Sequence, residues 1–81
     1  MEEPEILRAL QGIFRGVFMD GDIVLDPAMN SNDIVGWDSF KQVEIIMAIE
    51  EEYGIRTRPK DLDALQNVGD LVRLVQRKLN E

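Results

Sequence analysis

The chain has 81 residues, with 16 acidic against 9 basic side chains for a net charge of −7, and it contains neither Cys nor His. Disulfides, thiolate nucleophiles and Cys- or His-based zinc sites are therefore excluded, and so is the usual general base, which removes most hydrolytic and metal-dependent chemistry. A chain this short, 44% hydrophobic and 31% charged, is expected to fold as one domain over 1–81 with a modest core; its acidity repels nucleic acid, and no apolar run approaches the roughly 18 residues of a membrane span.

In chain order, the first helical pattern is Ile6, Leu10, Ile13 and Val17, widened by Leu7, Phe14 and Phe18, with Pro4 suited to the first turn. Residues 19–38 follow with Pro27, Gly21, Gly36 and repeated Asn or Asp and no sustained period, which predicts a long loop. Structureless connections beyond about 12 to 15 residues are uncommon in compact domains. The apolar Ile23, Val24, Leu25, Met29, Ile34 and Val35 therefore predict that it is ordered across the bundle. Asp20-Gly21-Asp22 lacks the later ligands of a calcium loop.

Asp38 is a good N-cap for a helix from Ser39 to about Tyr53, and Gly54 a good residue to end it. Phe40, Val43, Ile46, Met47 and Tyr53 read as its core face, so Val43→Asp is expected to unfold the domain. Pro59 opens a short third helix or turn to about Leu65, preceded and entered by Arg56, Arg58 and Lys60. Asn67 caps the fourth helix, which Val68, Leu71, Val72, Val75 and Leu79 line, with Arg77 and Lys78 opposing the negative end of its dipole. The fold class expected is all-α, a small antiparallel four-helix bundle of three main helices and a short third, with a long loop between the first two.

Charge is uneven. Residues 20–54 hold nine acids and one base, Lys41, for a net −8, and the rest of the chain is close to neutral. That is the pattern of a solvated face or of an electrostatic docking surface. The hydroxyl candidates for chemistry are Ser31, Ser39, Tyr53 and Thr57. Ser39 differs from the others in opening a helix, where unpaired N–H groups and the dipole favour a negative group such as a phosphate ester. It has no base to activate it, so the chain itself is not expected to be an enzyme.

The run GWDSFKQVEIIMAIEEEYGI, Gly36 to Ile55, resembles the centre of the acyl carrier protein family, whose Gly-x-Asp-Ser-Leu motif is followed by Val-Glu and an apolar run ending in Glu-Glu-Glu-Phe. Asp38, Ser39, Val43, Glu44, Met47, Ala48, Glu50, Glu51 and Glu52 match by position, and Val68-Gly69-Asp70 resembles the start of the family's fourth helix. The resemblance implies a 4′-phosphopantetheine arm, taken from coenzyme A by a separate magnesium-using phosphopantetheinyl transferase and attached to Ser39 beside Asp38. It also implies acyl groups carried as thioesters between enzymes of fatty acid, lipid or secondary-metabolite synthesis.

By the same resemblance Asp38, Phe40, Lys41, Glu44, Glu51 and Glu52 form the docking surface for acyl-loading and acyl-transferring enzymes with basic patches. Val43, Ile46, Met47, Tyr53, Leu65 and Val68 are core side chains that wall an acyl pocket. A monomer is expected, in the cytoplasm, because the acidic start Met1 to Glu5 is unlike a signal peptide. Phe40 for Leu, Lys41 at an often acidic position, Thr57 at an often apolar one, and the basic loop depart from the pattern and suggest a specialised carrier. An aminoacyl or peptidyl carrier with the same arm, and an acidic helical interaction module in which Ser39 is only a helix start, are the alternative readings.

Overall fold

The fold is set by three main helices, of which the first and the last are strongly amphipathic, and by the pairing of the irregular backbone between the first two. In the computed structural model, which describes residues 2–80, α1 spans Glu3–Val17, α2 Ser39–Tyr53, α3 Pro59–Asp63 and α4 Val68–Leu79. Met1 and Glu81, the ends of the expected domain, lie outside the described residues. Pro4 sits in the first turn of α1, where its missing N–H is no loss. The cap residues act as their chemistry predicts: Asn67 Oδ1 accepts from Asp70 N at 2.9 Å, and Gly54 ends α2 at φ 65°, a left-handed conformation natural to glycine. Helix α3 stops at Asp63, short of Leu65, whose N–H donates to the Leu62 carbonyl at 3.1 Å in a tighter turn.

Helix α1 packs against α2 and α4, and α2 against α4. Ile6, Leu10 and Phe14 of α1, at i, i+4 and i+8, are fully buried. They meet Ile45, Ile46 and Ile49 of α2 and Val68, Leu71, Val72 and Val75 of α4, and Leu25, Ile34 and Ile55 close the core from the connections. Ile13 and Val17 are only half-buried at its margin.

The expected face of α2 is corrected here. Ile46 is buried, but Val43 is 56% and Met47 62% exposed, with Phe40 at 81%. The helix is apolar on more than one side, and packing against α1 and α4 selects the line 45, 46, 49. Tyr53 and Leu65 lie half-buried against the core, and Val68 is fully buried. Burial raises the Tyr53 phenol above its ordinary pKa, with the Glu52 and Glu5 carboxylates adding to the effect.

The long connection is ordered by pairing its backbone, as buried or crossing irregular chain must be. From α1, Arg15 Nε donates to the Ile23 carbonyl at 2.8 Å and Gln11 Oε1 accepts from Leu25 N at 2.9 Å. From α4, the N–H groups of Val68 and Gly69 donate to the Met29 and Pro27 carbonyls, both at 2.8 Å. These are first-turn donors that the helix itself leaves unpaired. The close approach explains Gly69: a Cβ there would stand 3.1 Å from the Pro27 carbonyl.

This burial pattern separates two substitutions on one helix. Ile46→Asp places an unpaired carboxylate at a site only 5% exposed, a cost of several kcal/mol in a domain with about 5 to 10 in total, and the protein is expected to be unfolded by circular dichroism. Val43→Asp is expected to melt within a few degrees of the wild type; a collapse of its melting transition would return Val43 to the core.

Candidate functional site

Ser39 is the first residue of α2 and is exposed. Its position is fixed from the residues before it. Gly36, at φ 89°, supplies a backbone turn that L-residues adopt at a cost. Trp37 then anchors the chain: its ring meets Phe14 edge-on with centroids 5.1 Å apart, and its Nε1–H donates to Gln42 Oε1 at 2.7 Å. Asp38 caps the helix, Oδ1 accepting from Lys41 N at 3.0 Å, while its carbonyl accepts from Gln42 N at 2.9 Å. Such a cap contributes about 1 kcal/mol. Lys41 reaches across to α1, its Nζ 3.3 Å from the Val17 carbonyl and 3.8 Å from Glu44 Oε1, so an ammonium sits at the negative end of the α1 dipole.

Beside Ser39 opens a cleft of about 450 Å³ whose walls include Trp37, Gln42, Leu62, Leu65 and Leu71. A group extended from the Ser39 oxygen meets a polar rim first and apolar side chains of α3, its following loop and α4 beyond. Of the expected pocket residues, Leu65 lines this cleft. Met47 lines a different hollow of about 420 Å³ with Glu50, Glu51, Ile55 and Arg56, and Val43, Ile46, Tyr53 and Val68 line neither. Gln42 and Leu62 are not singled out by the sequence, and Leu71 reads there only as lining the fourth helix. Nothing in their spacing marks them as cleft residues, because they converge only when the start of α2 meets α3 and α4.

The acidic residues of α2 divide by role. Asp38, Glu44, Glu51 and Glu52 are exposed. Glu50 is engaged: Oε2 accepts from both the N–H and the hydroxyl of Thr57, each at 2.8 Å. Those two bonds, with the charge of Arg56, hold its carboxyl below the ordinary range. Thr57 is thus a staple between the end of α2 and the next connection. Phe40, Val43 and Met47, spaced i, i+3 and i+7, make an exposed apolar stripe with Glu44 and Glu51 on the same side.

A family described as "Phosphopantetheine attachment site" matches residues 8–75. The chain belongs to the acyl carrier protein family. It is also similar to a holo acyl carrier protein from Geobacter metallireducens, solved by solution NMR, with 44% identity over 93% of this chain and 86% of that one and a TM-score of 0.87. The prosthetic group of the family is 4′-phosphopantetheine, held covalently. The exposed hydroxyl at a helix start, with an open cleft beside it, fits such an attachment. No helix among the described residues is long and apolar enough to cross a membrane.

The same geometry sets the acid response. Asp61 is held low chiefly by its hydrogen bond from Lys78, and Asp70 by that from Arg73, as Glu50 is by Thr57. A carboxyl whose folded pKa is depressed stabilises the fold above its unfolded value and loses that contribution as pH falls through the folded one. The melting temperature is therefore expected to fall steadily as pH drops below about 4.5, the ordinary value for glutamate. Glu50→Gln should melt lower than wild type at neutral pH and converge with it in acid; parallel curves would show that the Thr57 staple carries none of the effect.

Proposed function

We propose that this chain is a single-domain, monomeric carrier working in the cytoplasm, with the arm attached through the Ser39 oxygen. The observation that carries this reading is the exposed Ser39 hydroxyl at the capped start of α2, anchored by Trp37 and Asp38 beside an open cleft. When attached, the arm supplies a terminal thiol that holds an acyl group as a thioester. The chain's own part is presentation. Its N-cap and the Trp37–Phe14 contact keep the hydroxyl at one place, and the first-turn N–H groups favour the phosphodiester charge. Lys41 is turned to the Val17 carbonyl and Asp38 to its own helix, so the proton of Ser39 is left for the transferase to remove, and the chain is not an enzyme in itself.

The partner surface in this reading is Asp38, Phe40, Lys41, Glu44, Glu51 and Glu52, together with the exposed Val43 and Met47. An apolar stripe edged with carboxylates suits a partner with an apolar patch inside a basic rim. The charges speed encounter and the stripe gives the short-range contact. The acyl group is bound for fatty acid, lipid or secondary-metabolite synthesis, and Lys41 and the basic α2–α3 connection support a specialised carrier.

Intact-protein mass spectrometry after incubation with coenzyme A, magnesium and a promiscuous phosphopantetheinyl transferase tests the attachment. One arm is expected on wild type and none on Ser39→Ala; an unmodified wild type under several transferases would favour an interaction module without a prosthetic group. For the docking stripe, Met47→Glu is expected to reduce kcat/KM for arm transfer about tenfold with an unchanged melting curve, and an undiminished rate would remove Met47 from the surface.

A further inference from the structure

Four of the nine basic side chains of this acidic protein are gathered in one place that neither Ser39 nor the α2 stripe uses. Arg58 and Lys60, both exposed, stand at the start of α3, and the last turn of α4 brings Arg77 and Lys78 to the same hollow, while Arg56 lines the separate hollow of Met47, Glu50 and Glu51. One carboxylate organises them. Asp61, whose side chain is 8% exposed, accepts from Arg77 at 2.8 Å and from the equally enclosed Lys78 at 3.0 Å, and also from the Arg58 N–H at 2.8 Å. Arg58, Lys60, Asp61, Ala64, Arg77 and Lys78 line an open hollow of about 370 Å³. Four cations against one anion give it a net +3 in a chain of net −7. Asp63, on the same helix, does not line it.

We propose that this face is a second docking surface, opposite in sign to α2, that receives a carboxylate-rich segment of a partner protein. Arg58 and Arg77 carry planar guanidinium forks suited to paired carboxylate oxygens, and the Asp61–Lys78 pair holds the two helices that present them in fixed relation. A lipid surface fits less well. No large apolar side chain lines the hollow to enter a bilayer, and a small basic patch alone anchors weakly. A second copy fits less well too, since α2 of one copy on this face of the next is an open, non-closing contact between molecules of like net charge. A partner meeting both surfaces reads two signs, and one with only a basic patch is repelled here, which is discrimination by charge. This surface does not depend on the arm.

Titration of the ¹⁵N-labelled protein with an octaglutamate peptide at low salt tests the assignment. Saturable shifts are expected at residues 58–61 and 77–78, equal in the unmodified and arm-bearing forms. The dissociation constant should rise about tenfold in Arg58→Glu with Lys60→Glu, by an intermediate amount in Arg58→Gln with Lys60→Gln, and about tenfold in wild type between about 20 and about 150 mM salt. The proposal is overturned if the shifts scatter or fall on α2, or if neither double variant weakens binding. Phosphatidylglycerol vesicles binding this face where the peptide does not, or self-association that the peptide fails to displace, would overturn it equally.

Discussion

The structure depends on the pairing of one irregular stretch of backbone. Between the end of α1 and the start of α2 the chain must cross the bundle without a helix to satisfy its N–H and C=O groups, and an unpaired group in such a position costs about 1 to 3 kcal/mol. Gln11 and Arg15 hold one part of the crossing, and the Val68 and Gly69 N–H groups hold another by donating to Met29 and Pro27. The second arrangement resolves two deficits at once, because the first turn of α4 also lacks partners of its own. With the crossing fixed, Trp37 reaches Phe14, Asp38 caps α2, and the serine after it stands at one defined place. A carrier whose attachment point wandered would present its cargo to partners in no fixed geometry.

The ends of the helices were legible in the sequence because they are determined locally. Asp38, Gly54, Pro59 and Asn67 each act through the backbone a few residues away, and the structure places α2 between the first two, starts α3 at Pro59 and starts α4 after Asn67, as expected. The buried side of α2 was not legible. Phe40, Val43, Ile45, Ile46, Met47 and Ile49 surround much of the helix, so a period of 3.6 residues accommodates the line 43, 46, 47 as readily as 45, 46, 49. Only the partners decide, and they are far away in sequence, on the buried faces of α1 and α4. The cleft beside Ser39 was hidden for the same reason, since Leu62, Leu65 and Leu71 are ordinary core-type residues until α3 brings them beside Gln42.

That ambiguity has a physical origin in what α2 has to do. A helix with one partner needs one apolar stripe, whereas Phe40, Val43 and Met47 remain in water on a helix already packed through its isoleucines. Exposed large apolar side chains at helical spacing next to carboxylates suit the intermittent cover that the proposed docking role requires. Permanent cover would bury the serine's end of the helix; continuous exposure of a wider stripe would promote association. In that proposed role the flanking Glu44, Glu51 and Glu52 would keep the stripe hydrated between encounters.

Counting acids overstates the charge available to such encounters. Glu50 is engaged with Thr57, Asp61 with Arg77 and Lys78, and Asp70 with Arg73 and the Gln66 N–H. These three carboxylates hold connections and helix starts together, and each is stabilised in its ionised form by the bonds it accepts. The exposed carboxylates of α2 and the net positive hollow around α3 then give the molecule a surface of two signs, which its net −7 conceals. Salt screens exposed charges over about 8 to 10 Å, so each patch is sensed at close range by the part of a partner that faces it, and the distribution of charge rather than its total governs what can dock.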